Sequence, residues 1–476
     1  MILLLLLNMT IFSGSFAMQT YNQPPIDYQA AQVKLQNIDQ LHLLNYWDSL
    51  DSINKDKLLS DIADISPDFL HHQRSLLNKK IDRHDYQKFT NFTFAEDTSC
   101  YHHGKELISQ GLVGTVVVAG GQGTRFGFKG PKGCFPISNV KEKTLFQIIA
   151  EKTLYASKLA KRPLPLAIMT SDCNHKATLQ FFEDNAYFGL DANQVSFFKQ
   201  SVAPMLDVEG NLFLSSPHTI AKGPDGNGAF FNSFVDSGTW QKWTENGIRL
   251  LNFILVDNPL GDPFDLDLIG FHAESNNDVT IKCIPRADPE EKVGVIVADN
   301  TIVRVIEYSE IDDHDRYARD ENGNLAHLCA NISLFCMNMD FVKSIATDVN
   351  KRLPYHIAFK ASDYVDNDGN VKRSKSPIAH KYEKFIFDML PFSEKIGALI
   401  YKREDCFAPL KNRSGNHSPE TVKCMLLNAD KKQWQTVTGT LPPTETFELS
   451  QEFYYPTEEF KKYWESKTPP QTKYID

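Results

Sequence analysis

The stretch LVGTVVVAGGQGTRFGFKGPKG, residues 112–133, constrains the fold more than any other. Its first part, LVGTVVVA (112–119), is a continuous apolar run without polar alternation. That is the pattern of a strand buried on both faces of a parallel sheet. The run ends in glycines, as a strand does when it passes into a ligand loop at the carboxyl edge of an α/β sheet. Three further runs have the same character: LPLAIMT (164–170), VSFF (195–198) and LLNFILVD (250–257). The last delivers a carboxylate, Asp257, at its C-terminal end. Between the first two, Thr144 opens an amphipathic helix with capping-box spacing to Gln147 and an apolar side of Leu145, Phe146, Ile149 and Leu154. This β-α-β alternation predicts a three-layer α/β domain with a mixed, mainly parallel sheet.

The flanks read differently. Residues 27–110 are expected to be mainly helical, with Leu41, Leu43, Leu44, Trp47 and Leu50 at near-helical spacing as a packing face. From Val279 the pattern becomes antiparallel-like: VGVIVAD (293–299) and TIVRVIEYSE (301–310) meet at Asp299-Asn300, a hairpin turn, and LCANISLFCM (328–337) is another strand. After about Pro391 a small C-terminal lobe is expected, including LIYKRED and the run from Thr436. The expected division is therefore 18–110, 111–390 and 391–476. The first 17 residues, MILLLLLNMTIFSGSFA, resemble a secretory signal, with small residues ending at Ala17. They lack a positive n-region and are too short to span a membrane. The favoured alternative is initiation at Met9 or Met18.

Charge narrows the partners. A formal net charge of −10 repels nucleic acid and anionic membrane, so neither is expected as a stable partner. A phosphorylated substrate must be drawn in by a few local cations. The eight cysteines include no C-x-x-C pair and no zinc spacing, and Cys283, Cys329 and Cys336 read as core residues. A reducing, cytoplasmic compartment fits best.

The loop supplies the local cations. Gly120, Gly121, Gly123 and Gly127 let backbone N–H groups approach a bulky anion. Arg125 offers a planar fork to phosphate oxygens, Lys132 a point charge, and Pro131 stiffens the approach. The pattern suits a triphosphate. A dinucleotide loop would pass quickly into its helix and meet a carboxylate after the second strand, whereas here the helix waits until Thr144 and LPLAIMT ends without one. No G-x-x-x-x-G-K-[ST] exists for a P-loop. A turn-rich loop without a ligand is the remaining alternative.

AGGQGTRFG followed by GPKG resembles the signature of the eukaryotic-type UDP-sugar pyrophosphorylases, and within them the N-acetylhexosamine branch. The resemblance continues in order through IMTS (168–171), FFKQ (197–200), PDGNG (224–228), VDN (256–258), VGV (293–295), EYSE (307–310), EKFIFD (383–388) and PLKN (409–412). It implies a Rossmann-like nucleotidyltransferase (GT-A-like) fold, and a reaction of UTP with N-acetyl-α-D-glucosamine 1-phosphate giving UDP-N-acetylglucosamine and pyrophosphate. By resemblance, Arg125 and Lys132 are catalytic, Asp257 holds Mg²⁺ (Mn²⁺ can substitute), and Gly120 and Gly121 approach the nucleotide. Gln200 and Gly226 read the uracil edge. Asn227, Gly294, Glu307 and Asn331 line the sugar pocket, and Lys381 and Lys411 reach the phosphates.

The family's A-P-D-G-N-G-G appears as Gly223 to Ala229, its A-G-N as Cys329-Ala330-Asn331, and its G-M-L-P-A-M as Ser201 to Leu206. An added methyl beside a sugar pocket shifts the accepted sugar, at a cost of about 1–3 kcal/mol for a poor fit. The rivals are therefore a UDP-glucose or broad UDP-sugar pyrophosphorylase, a catalytically silent UDP-sugar sensor and an NAD(P) oxidoreductase. Asp366 to Asn370 hints at a calcium loop but lacks the closing Glu and reads as a turn. His102-His103 and Asp312-Asp313-His314 read as exposed polar segments.

Overall fold

The computed structural model describes residues 26–78, 86–465, 467, 470 and 472–476, so the signal-like residues 1–17 lie outside it. Among the described residues, no helix is long and apolar enough to cross a membrane. The chain forms two compact units. One draws on the described residues of 1–81 with 203–223 and 357–382; the other holds the remainder.

The larger unit is built on one sheet of eleven strands. Numbered along the chain they are β1 (Gln87–Lys88), β2 (Phe92–Phe94), β3 (Val113–Val118), β4 (Leu166–Thr170), β5 (Val195–Lys199), β6 (Leu250–Leu255), β7 (Val279–Pro285), β8 (Gly294–Asp299), β9 (Ile302–Ile306), β10 (Cys329–Asn338) and β11 (Ile396–Ile400). The main path runs β2-β11-β7-β10-β6-β3-β4-β5. The four apolar runs of the sequence lie side by side and parallel, as β6, β3, β4 and β5. β7, β11 and β2 are also parallel to one another. Only β10 runs against both its neighbours on this path, β6 and β7. The sheet is thus mixed and mainly parallel, as expected.

β8 pairs with β10 and continues into β9 and β1, all antiparallel. Asp299 lies opposite Ile302, so the hairpin turns at Asn300, whose φ of 55° is the left-handed value that Asn tolerates. Two expectations change. β7 has one parallel neighbour and belongs to the main sheet. LIYK also enters that sheet, because Ile396–Ile400 is buried at every position and runs between β7 and β2. A five-residue apolar run carries no periodicity to separate a central strand from a peripheral lobe. The unit thus continues through 391, the C-terminal part adding the helix Pro419–Thr438 and an aromatic cluster around Trp434, Phe453 and Trp464.

Helices cover the sheet. Leu145–Ala160 starts where expected: Thr144 Oγ1 accepts from Gln147 N at 3.1 Å. The reciprocal half of the capping box does not form, and Gln147 Nε2 donates to Glu151 Oε1 at 2.8 Å. Tyr101–Gln110 lies across Leu266–Glu274 with backbones nearly touching. A Cβ on Gly104 would fall 1.9 Å from the Leu266 carbonyl oxygen, and one on Gly270 would fall 2.1 Å from that of Cys100. Cys283, Cys329 and Cys336 are buried, as read from the sequence.

The smaller unit carries the helices Tyr28–Asn37, Ser52–Ala63 and Pro67–Leu77, capped by Asp27, Asp51 and Ser66. The leucine-rich stretch between the first two is not a helical face. It forms two short 3₁₀ turns, Leu41–Leu44 and Trp47–Ser49, with Leu43 buried and Leu41 45% exposed, because the Asp51 cap starts the next helix immediately afterwards. Asp366 to Asn370 closes a hairpin in which Asp366 Oδ1 accepts from the backbone of Asp368 and Asn370.

Replacing Gly270 with alanine should lower stability by about 1–3 kcal/mol, since the two helices must separate to admit the methyl group. Equilibrium urea unfolding checks this through the transition midpoint; an unchanged midpoint would refute the packing described.

Candidate active site

The glycine loop is held open from behind. After β3, Ala119 N still pairs with the Met169 carbonyl at 2.7 Å. Beyond it the chain turns away, and three consecutive carbonyls are taken by side chains at the end of β4. Asn174 Nδ2 donates to Ala119 O at 2.8 Å and Gly121 O at 3.3 Å, and Ser171 Oγ donates to Gly120 O at 2.7 Å. With the carbonyls turned inward, the N–H groups of Gly120 and Gly121 bond to nothing among the described residues. Such a pair is a ready anion site. A Cβ on Gly120 would lie 2.7 Å from Gln200 Oε1, so the loop and Gln200 fit only with glycine there.

The loop folds back on itself: Lys132 N donates to Gly121 O at 3.0 Å and Gly123 N to Gly130 O at 3.2 Å. This aims Lys132 at the end of β6. Its Nζ lies 3.2 Å from Asp257 Oδ2 and 3.4 Å from the Leu410 carbonyl oxygen. Leu410 N in turn donates to the Asp257 carbonyl at 2.7 Å, which brings Lys411 to the same place. Burial pushes the Asp257 carboxyl up, but Lys132 and Lys411 together hold it below the ordinary carboxylate range. Its other oxygen, Oδ1, is buried and has no hydrogen-bond partner among the described residues. An ionised carboxylate with one free buried oxygen suits a hard divalent cation that takes its other ligands from phosphate and water. Elsewhere Asp312, His314 and Asp315 bring ligand atoms within 4.8 Å of one another, but His314 is exposed and Asp312 caps its own helix.

A second group of expected residues gathers around β8, β9 and β10. Gly294 lies opposite Asn331, and a Cβ on it would sit 2.7 Å from Val305 Cγ1 and 3.3 Å from Glu307 Oε1. Asn331 falls at an irregularity where β7 and β10 shift register between Lys282 and Cys283, and its Oδ1 accepts from Ser333 N. Burial and Glu310 push the Glu307 carboxyl up, while His356 and Lys411 pull it down. Lys411 thus acts electrically on both Asp257 and Glu307 and joins the two groups.

PDGNG forms a stiff bend. Gly226 has φ of 85°, and a Cβ there would fall 2.2 Å from the Lys384 carbonyl oxygen. Asp225 accepts from Ser201 Oγ at 2.9 Å and Lys384 Nζ at 3.2 Å, which ties the bend to the residue after Gln200. Asn227 Oδ1 accepts from Ile386 N at 2.9 Å.

Two expected residues stand apart. Arg125 is exposed on the turn Thr124–Phe126 and makes no hydrogen bond or ion pair with a described residue. Lys381 belongs to the smaller unit, where its Cε lies 2.9 Å from a Cβ placed on Gly223. The sequence did not single out Ser171, Asn174, Lys384 or His356. Ser171 and Lys384 stood inside or beside recognised motifs; His356 had no local signal.

The profile of the UTP–glucose-1-phosphate uridylyltransferase family matches residues 68–467. The chain belongs to this family. It is 32% identical over 421 residues to the UDP-N-acetylglucosamine pyrophosphorylase of Saccharomyces cerevisiae, covering 82% of this chain and 87% of that one. It is 29% identical over 454 residues to UDP-N-acetylglucosamine diphosphorylase 2 of Arabidopsis thaliana, covering 89% of each. In fold it resembles the uridine diphosphate N-acetylglucosamine pyrophosphorylase of Trypanosoma brucei, solved with an inhibitor, with a TM-score of 0.77, 23% identity and coverage of 94% and 98%.

The Lys132–Asp257 pair gives this family member a pH signature. A carboxyl held low in the folded state contributes stability above its unfolded value, about pH 4, and loses that contribution as pH falls through the native value. Lys132→Met removes the first cation and lets burial raise Asp257. Wild type and variant should differ by about 1–3 kcal/mol in urea unfolding at pH 7, and the gap should narrow as pH falls toward about 4. A gap independent of pH would contradict the pairing.

Proposed function

We propose that this family member transfers the uridylyl group of UTP to N-acetyl-α-D-glucosamine 1-phosphate, releasing pyrophosphate. The observation that carries the reading is the convergence of Lys132 and Lys411 on Asp257, beside a glycine loop with free N–H groups. Nucleotidyl transfer needs positioning and charge neutralisation more than protein nucleophiles.

In this reading a phosphate oxygen of the sugar 1-phosphate attacks the α-phosphorus of UTP. The bond between the α-phosphorus and its bridging oxygen breaks, and pyrophosphate leaves with the electron pair. Gly120 and Gly121 bind phosphate oxygens through backbone N–H groups, and Lys132 and Arg125 neutralise charge on the α-phosphate and the departing pyrophosphate. Gln200, fixed against Gly120, and Gly226 hold the uracil edge. Glu307, Asn331, Asn227 and Gly294 bind the sugar, and Lys411 its phosphate. Asp257, with its unpartnered buried oxygen, would hold Mg²⁺, which would supply further neutralisation of phosphate charge.

The choice of N-acetylglucosamine over glucose is supported by the relatives named for that sugar, and the residues that depart from the family pattern do not stand against it. Successive side chains on a strand point to opposite faces. Ala330 packs in the core with Val117 and Ile284, so the methyl group that departs from the family pattern lies on the face away from Asn331. Ala229 is likewise fully buried.

Pyrophosphate release from UTP and Mg²⁺ with N-acetylglucosamine, N-acetylgalactosamine and glucose 1-phosphates tests the reading. The N-acetylglucosamine rate should exceed the glucose rate by at least about tenfold, the discrimination worth one well-placed polar contact. Equal rates would assign a broad UDP-sugar pyrophosphorylase, and no release with any of them a sensor. Asn331→Ala should raise KM for the sugar phosphate and leave KM for UTP within about twofold; equal loss for both would misplace Asn331.

A further inference from the structure

His356 is half-buried and lies between two turns, one carrying the expected sugar-binding residue Glu307 and the other bonded to the expected sugar-binding residue Asn227. Its Nε2 is 2.9 Å from Asp388 Oδ2 and its Nδ1 3.6 Å from Glu310 Oε1. Its ring packs on Phe385, centroids 4.5 Å apart. Asp388 Oδ2 also accepts from Phe385 N, which closes the turn whose next residue, Ile386, donates its N–H to Asn227 Oδ1. On the other side, Glu310 N and Ile311 N both donate to the Glu307 carbonyl, so the Glu310 carboxylate is fixed relative to Glu307. Two carboxylates thus contact one imidazole, whose charge, with that of Lys411, also acts on Glu307.

We propose that His356 is a positioning residue of the sugar 1-phosphate site: its imidazolium clamps the turn bearing Glu307 to the turn bearing the Asn227 partner. The inference rests on the proposed function. Burial disfavours charge on His356, but Asp388 and Glu310 outweigh it and raise its pKa to about 9. The clamp is therefore closed at neutral pH and opens above about pH 9. Without the cation, Glu310 and Asp388 repel each other, and Glu307 loses a charge that pulls its pKa down. On the acid side, a Glu307 without that neighbouring charge is protonated up to a higher pH, and in that form it no longer accepts from two sugar hydroxyls.

The test is His356→Gln, assayed from pH 5 to 10. KM for N-acetylglucosamine 1-phosphate should rise at least about tenfold while KM for UTP changes less than about twofold. The acid limb of kcat/KM for the sugar phosphate should move to higher pH, and the decline above about 9 should disappear. Glu310→Gln, which removes a like charge from Glu307, should move the acid limb the other way. Parallel rises in both KM values with unmoved limbs in both variants would overturn the proposal. The His356 ring titration, followed by NMR without substrate, keeps this separate from the functional reading. A wild-type value near that of a free imidazole, unchanged in Glu310→Gln, refutes the clamp even if the enzyme is active. A raised value that falls in the variant supports the clamp even if no sugar phosphate reacts, in which case the functional reading alone fails.

Discussion

The contact between Lys132 and Asp257 joins the glycine loop of the larger unit to the end of its longest apolar run. Lys132 comes from the glycine loop after β3 and Asp257 from the end of β6, the adjacent parallel strand. Their pairing fixes the loop over the carboxyl edge of the sheet, where open α/β folds bind ligands. It also solves an electrostatic problem. A buried carboxylate is costly unless paired, and a pair that saturated both oxygens would leave nothing for a ligand. Here one oxygen takes Lys132, the other is free, and Lys411 adds a second positive charge nearby. The acidic chain thereby concentrates cations at one spot, which an anionic substrate requires of it.

Around that contact the backbone is placed by close approach. Gly120 yields to Gln200, Gly226 to the Lys384 carbonyl and Gly294 to Glu307, so three of the expected glycines are where a side chain would push out a neighbouring functional group. The carbonyls of 119–121 are spent on Asn174 and Ser171, leaving the N–H groups for a ligand. The residues expected to bind the sugar gather on β8 to β10, where the pairing of β7 with β10 shifts register near Asn331.

Much of this was legible in the sequence because it depends on local pattern. Unbroken apolar runs ending in glycine or aspartate gave β3 and β6 with their parallel pairing, and the ordered motifs placed Gly120, Lys132, Gln200 and Asp257 in one neighbourhood. The reversal of β10 was hidden, since LCANISLFCM is apolar throughout and fits either direction. β11 was assigned to a peripheral lobe because five apolar residues do not reveal their neighbours. The leucines from Leu41 to Leu50 mimicked a helix that the Asp51 cap cuts short. His356 was invisible because its partners, Glu310 and Asp388, are distant in sequence, and Lys384 could not be told from the nearby lysines until its contact with Asp225 was seen.

We propose that Asp257, held ionised by lysines, receives a divalent cation together with UTP. Mn²⁺ binding followed by electron paramagnetic resonance, with and without UTP, tests it directly in the wild type and in Asp257→Asn. The account predicts that UTP strengthens Mn²⁺ binding to the wild type, and that the substitution weakens the ternary complex by at least about tenfold, the loss of one charged ligand. Equal Mn²⁺ binding by both proteins in the presence of UTP would contradict it.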